Sequence, residues 1–269
     1  MNDAPLQPGV AFRVEPAGGR TNEMHYLRLR RSQIILASFV LFALLITAFP
    51  RVDIAISGMF FDGRSFLRDQ WWQRLLQQGL TYFLALSVVA VVGIYACNRI
   101  LRRNVFGIDG RRALFVILVL AIGCGFIVNF ALKDHFGRAR PRDIAEFGGT
   151  KQFTPAFRVS QQCSTNCSFS SGDAAGGFFS LALALALSRR RAAFLAGIVV
   201  GAVMSFARIS AGAHFFSDTV VSFFVMLIVA DVLFFYMVIA RPSLAEARLP
   251  DGLLSPVRLT PQAQASRPG

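Results

Sequence analysis

Residues 113–132, ALFVILVLAIGCGFIVNFAL, contain no charged side chain and are closed by Arg111-Arg112 on one side and Lys133 on the other. A helix needs about 20 predominantly apolar residues to cross the hydrocarbon core of a bilayer. Five further runs of the same character lie at 32–50, 80–97, 172–188, 192–207 and 215–240. The chain therefore reads as an all-α integral membrane protein with six transmembrane helices. It divides into an N-terminal arm (1–31), a membrane domain (32–240) and a proline-containing tail (241–269) with the composition of a disordered segment.

Composition agrees. At 54% apolar and 16% charged residues, too little polar surface remains for an ordinary soluble domain. The net charge of +13 could suggest nucleic acid, but the arginines flank the apolar runs. They do not form a basic face interleaved with stacking aromatics. The charge is read as topology plus an anionic ligand.

With six crossings, both termini and the loops after the second and fourth spans share one side, and they hold 17 of the 28 basic residues. Arg99, Arg102, Arg103, Arg111 and Arg112 crowd one of these loops and Arg189, Arg190 and Arg191 the other, so this side is expected to be cytoplasmic. The polar arm carries no early apolar stretch ending in a small-residue cleavage site. The first span is therefore expected to act as an uncleaved anchor. Segment 51–79, with Trp71, Trp72 and Phe60-Phe61, reads as an interfacial helix or hairpin. On the expected outer side, Cys163 and Cys167 are placed where an oxidising compartment could pair them, although their spacing does not demand it. Cys97 and Cys124 read as packing residues.

Charge inside lipid is costly, roughly 2.5–3.5 kcal/mol per residue at mid-bilayer on insertion scales, and several charged residues of this chain sit at span ends on the expected outer side. Lys133 and Arg140 follow the third span, Ser171-Gly172-Asp173 opens the fourth, Arg208 closes the fifth, and His214 and Asp218 open the sixth. Arginine forks match phosphate oxygens, lysine adds a point charge, and the N–H groups at a helix start hold an anion. His214 and Asp218 are four apart, so a helix would put them on one face. There the carboxylate could take the imidazole proton and leave the other nitrogen free to attack phosphorus. A metal site is not expected: His25 lies in the arm, and His135 and His214 have no Cys or Glu partner at ligand spacing. No cofactor and no obligate protein partner are evident.

These residues resemble the three-part signature of the type 2 phosphatidic acid phosphatase superfamily, K-x6-R-P, P-S-G-H and S-R-x5-H-x3-D. Here the parts read Lys133-x6-Arg140-Pro141, Ser170-Ser171-Gly172-Asp173 and Ala207-Arg208-x5-His214-x3-Asp218. The resemblance implies a metal-independent phosphatase with His214 as nucleophile and Asp218 orienting it. Lys133, Arg140, Ser171, Gly172 and Arg208 would bind the phosphate. The family's general-acid histidine maps onto Asp173, a departure that leaves Asp173 or His135 to supply the leaving-group proton and also admits a non-catalytic lipid-phosphate binder. The run Asn166-Cys167-Ser168-Phe169 is similar to that of the lipid A 4'-phosphatase branch. Lipid A is thus the first expected substrate, with phosphatidylglycerophosphate and undecaprenyl pyrophosphate as alternatives. Vanadate-dependent halide oxidation, which related soluble enzymes perform on the same cradle, fits six spans poorly. The resemblance places the protein in a bacterial inner membrane with its site facing the periplasm. The cationic 133–171 loop, with Arg138, Arg142 and Lys151, is expected to favour multiply anionic lipids.

Overall fold

A computed structural model describes residues 18–68, 70–133, 135–188 and 190–239, with side chains from Arg30 onward. Helix α1 (Gly18–Ala48) begins well inside the expected arm; residues 1–17 and the tail lie outside the described residues. Pro50 then starts the short helix α2 (Arg51–Gly58), the ring's fixed φ suiting the entry to a helix. Helix α3 (Trp71–Ile100) follows. The expected interfacial element is thus split: Trp71 and Trp72 belong to the first turn of a long span, because no proline lies between Gln70 and Leu80 and the single Gly79 is carried by the helix formers around it.

Helix α4 (Gly110–Leu118) is capped by the Asp109 carboxylate, which accepts from Arg112 N at 2.9 Å, and it continues as a π-helix over Val119–Lys133. Next come a long loop, the consecutive short helices α5 (Gly172–Phe178) and α6 (Ser180–Leu187), then α7 (Arg191–Ser210) and α8 (Phe216–Phe234), the last extended by a π-helical turn to Ile239. Among the described residues there is no β-strand, only the isolated bridges Phe61–Phe66 and Ile144–Lys151.

Among the described residues five helices are long and apolar enough to cross a membrane: Arg30–Ala48, Trp71–Ile100, Gly110–Lys133, Arg191–Ser210 and Phe216–Ile239. The fourth expected span is the exception. Gly172–Leu187 is apolar but short, and it is interrupted at Phe179 between two helices of 7 and 8 residues. It is also the most enclosed element. A Cβ on Gly177 would come within 3.0 Å of the Gly201 Cα, so α5 and α7 meet through small residues, as tightly packed membrane helices do. Phe115, Val116, Val119, Leu181 and Met226 fill the centre around it. The outward faces carry large apolar side chains: Leu44 is 64% exposed, Val89 66% and Val199 59%. Such a surface fits lipid and not water. At the Arg31 end, α1 is pinned to α8 by Arg31 and Ser32, whose side chains reach the Asp231 carboxylate at 3.2 and 3.1 Å. At the other end Phe66, Ala139, Ile144, Phe147 and Phe215 form a second apolar cluster. It steadies the loops that carry the charged residues.

Candidate active site

The α7–α8 connection sets the geometry. Gly212 adopts φ +61°, and a Cβ there would lie 2.4 Å from the Phe66 ring, so this turn requires glycine. The turn folds back so that the Ala213 and His214 N–H groups both donate to the Arg208 carbonyl, at 3.0 and 3.3 Å. Arg208 and His214 are thereby held together across a break between helices. Gly212 also accepts from Arg142 N at 3.1 Å, tying the turn to the loop after Arg140.

These segments surround a cavity of about 390 Å³. Its wall includes Lys133, Arg140, Arg142, Asn166, Asp173, Arg208, Ala211 and His214, together with Arg68, Gln73, Arg74 and Gln77 from the start of α3 and the residues before it. The sequence-predicted cations Lys133, Arg140 and Arg208 therefore come together with His214 and Asp173. Arg68, Arg74 and the two glutamines were not foreseen. Their signal was the pair of cations flanking Trp71-Trp72, which membrane anchoring explained equally well.

The Arg140 guanidinium is aimed by a backbone carbonyl: Nε and Nη2 both donate to Asn166 O, at 3.1 and 2.7 Å. Asn166 sits inside the five-residue loop closed by the Cys163–Cys167 disulfide. Burial, then the nearby positive charges of Arg142 and Arg208, push the Arg140 pKa below its ordinary value, so an anion in the cavity would relieve a real repulsion. Arg208 Nε lies 2.9 Å from Asp173 Oδ2, an ion pair not aligned as a hydrogen bond.

His214 is 1% exposed. Its Nδ1 is 2.7 Å from the Ser168 carbonyl oxygen and 3.8 Å from Asp218 Oδ2. A carbonyl only accepts, so Nδ1 carries the proton and Nε2 holds the lone pair. The expectation that Asp218 takes this proton on a shared helix face is corrected. His214 precedes α8, whose N-terminal N–H, that of Phe215, is capped by the Asp218 carboxylate at 2.8 Å. Asp218 instead reaches His214 through Ser168, whose hydroxyl donates to Asp218 Oδ2 at 2.5 Å. Burial is the main cause that pushes the His214 pKa below its usual value, with Asp218 opposing.

Three further expectations are revised. Arg138 does not face the cavity; it is fully buried, with Nη1 2.5 Å from Asp218 Oδ1 and Nη2 2.8 Å from Asp53 Oδ2. Its two neighbouring carboxylates outweigh any ligand outside. Ser171 is also fully buried: its hydroxyl accepts from Ala174 N at 3.3 Å, capping α5, and its N–H donates to Ser222 Oγ at 3.0 Å. Beside it, Gly172 packs against Asn129, whose Oδ1 would lie 2.6 Å from an added Cβ. Neither residue is on the cavity wall. His135 is exposed, its ring held by Phe130 O at 3.0 Å, and it too is off the wall. Lys151 is exposed as well. Asp53 was missed altogether, though a carboxylate within the apolar string of α2 is the kind of costly charge that marks a functional region.

Residues 114–241 match the PAP2 superfamily model. The chain is 35% identical to a lipid A 4'-phosphatase of Francisella tularensis subsp. novicida, over 71% of this chain and 90% of that protein. It is 32% identical to a lipid A 4'-phosphatase of Rhizobium leguminosarum, over 68% and 85%. A transmembrane PAP2-type phosphatidylglycerolphosphate phosphatase from Bacillus subtilis superposes with a TM-score of 0.50 at 19% identity, covering 76% of this chain and 94% of that one. That last likeness is one of fold. With Lys133, Arg140, Asp173, Arg208 and His214 all inside the matched segment, and a 35% identical relative covered over nine-tenths of its length, this membrane protein belongs to the PAP2 superfamily.

Proposed function

We propose that this chain is a lipid phosphate monoesterase that removes a phosphate from lipid A through a phosphohistidine on His214. The observation that carries the reading is the state of that imidazole. Its Nδ1 is committed to the Ser168 carbonyl, and the ring stands on the wall of a cavity that also holds Lys133, Arg140 and Arg208. Nε2 attacks phosphorus as the bond from phosphorus to the lipid oxygen breaks, while the three cations offset the charge on the equatorial oxygens. They supply the charge that a metal ion would bring, so the reaction is assigned as metal-independent.

Asp173 is the one carboxylate among the described residues of the wall. A bound phosphate competes with it for Arg208. Once displaced, Asp173 takes up the proton that a monoanionic phosphate ester brings into the cavity and passes it to the leaving oxygen as the phosphorus–oxygen bond breaks; the carboxylate then takes a proton from the water that cleaves the phosphohistidine. Lipid A is favoured as substrate by the relatives' assigned activity and by an arginine-rich wall suited to an anionic sugar headgroup. The Arg99–Arg112 and Arg189–Arg191 clusters argue for a cytoplasmic opposite side, and the Cys163–Cys167 disulfide suits an oxidising compartment. Both support a periplasmic site, six crossings and an inner-membrane location.

The test is phosphate release by the detergent-purified, metal-free protein from lipid A, phosphatidylglycerophosphate and undecaprenyl pyrophosphate, with His214→Ala as the blank. Release from lipid A alone is expected. Release from another lipid would reassign the substrate, and full turnover by His214→Ala would overturn the nucleophile.

A further inference from the structure

Asp53 is absent from the cavity wall and yet fully buried, while the other charged residue of its helix, Arg51, is exposed. Both its oxygens meet only donors: Oδ1 accepts from Ser217 N at 2.9 Å, and Oδ2 from Ser217 Oγ at 2.5 Å and Arg138 Nη2 at 2.8 Å. That is the pattern of an ionised carboxylate. Arg138 Nε donates to Thr154 O at 2.8 Å, and the guanidinium sits 4.2 Å from the Phe215 ring centroid. Asp53, Arg138 and Asp218, whose Oδ1 accepts from Arg138 Nη1, all have no exposure. Burying three charges is expensive, and apolar residues of like shape would often serve stability as well.

We propose that Asp53 and Arg138 are positioning residues for phosphoryl transfer: with Asp218 they form a buried carboxylate–guanidinium–carboxylate triplet whose single net negative charge offsets the positive charge on the phosphorylated His214 ring. The inference rests on the reading of His214 as the nucleophile. When the bond between Nε2 and phosphorus forms and the bond to the lipid oxygen breaks, the ring keeps its Nδ1 proton and becomes cationic; the departing oxygen takes its proton from Asp173. Arg138 fixes the Asp218 carboxylate but by itself cancels its charge. Asp53, on the far side of the guanidinium, restores it. In a dry interior the difference between zero and one net charge at this range is large. Ser168 completes the path: its hydroxyl holds Asp218, and its carbonyl, 2.7 Å from Nδ1, holds the ring.

The triplet makes a prediction that a purely structural staple does not. Asp53→Asn brings its net charge to zero and Arg138→Met to minus two, whereas the double variant returns to minus one. In the full-length protein in detergent, Asp53→Asn is expected to lower kcat about 10- to 50-fold with KM within about twofold, a transition-state loss. It should also lower the phosphohistidine trapped by alkaline quench. The double variant should recover at least about fivefold of kcat over Asp53→Asn. Full kcat in Asp53→Asn, or a double variant below it, overturns the proposal. If the Arg138 variants fail to fold, Asp53→Glu and Asp53→Asn decide: both disturb packing but only the second removes charge, and equal kcat values overturn the triplet. A His214→Ala protein that still turns over would sink the nucleophile itself; an inactive His214→Ala with an unaffected Asp53→Asn sinks only this inference.

Discussion

On one side of His214 lies a cavity of about 390 Å³ with Lys133, Arg140 and Arg208 on its wall; on the other lies Arg138 between Asp53 and Asp218, with no exposure at all. Arg138 and Arg140 are two residues apart on one loop. The first is matched by carboxylates from α2 and α8 and has no charge left to offer a ligand. The second is held by a neutral carbonyl, that of Asn166, which orients the guanidinium without neutralising it. What a buried arginine does therefore depends on whether its partner is charged. A carbonyl partner leaves a cation for binding, and a carboxylate partner removes it.

The largest expected effect is at the boundary between the two regions: His214→Ala should lower phosphate release to the blank, a loss of about 10³-fold or more for a covalent nucleophile. On the cavity side, Arg140→Gln and Arg208→Gln should each cost about 10²- to 10³-fold in kcat/KM, the scale of losing one transition-state charge partner. Their melting temperatures should stay near the parent's. On the buried side Arg138→Gln should do the reverse first, destabilising the fold by about 3–5 kcal/mol because two carboxylates lose their partner. A denaturation series on all three variants compares them, and equal stability losses would erase the distinction. Asp173→Asn should cost about 10²-fold, with the loss largest for substrates whose leaving alkoxide is most basic.

Smaller effects follow from proton linkage and from the loop. His214 has its pKa lowered by burial, so the folded protein binds its proton more weakly than the unfolded chain. Stability should then fall as pH drops below about 6.5, the unfolded imidazole value, and the acidic limb of kcat/KM should lie below that same value. The difference in melting temperature between pH 7.5 and pH 5.5, parent against His214→Gln, isolates the contribution. Reducing the Cys163–Cys167 bond should cost about 2 kcal/mol on the chain-entropy view of so short a loop. Because Asn166 lies within it, Arg140 should be less firmly aimed and kcat/KM should drop a few-fold; unchanged kinetics after reduction would detach the loop from the site.

Much of this arrangement was readable in the sequence. Apolar runs gave the helices because lipid leaves the backbone few options, and counting crossings put Lys133, Arg140, Arg208 and His214 at one end of the bundle, where the cavity now joins them. What the sequence concealed was partnership. Nothing in Gly137-Arg138-Ala139-Arg140 tells which arginine will meet Asp53, 85 residues upstream. Nor does the spacing of His214 and Asp218 reveal a helix start between them, since that depends on the Gly212 turn. The contribution of Arg68, just before α3, and of Gln73, Arg74 and Gln77 on its first turns was hidden because interfacial cations and site cations look alike.

The brevity of Gly172–Leu187 has a mechanical consequence. At 1.5 Å per residue the segment spans about 24 Å, against a hydrocarbon thickness of about 30 Å, and its N-terminal end lies beside the reacting groups. Because the longer helices enclose it, this segment meets protein and not lipid, so its shortness leaves the leaflet alone and instead lets its start lie below the rim of the bundle. A docking lipid must then present its phosphate inward past that rim, so turnover in reconstituted vesicles should fall for substrates whose phosphate is held rigidly at the membrane surface.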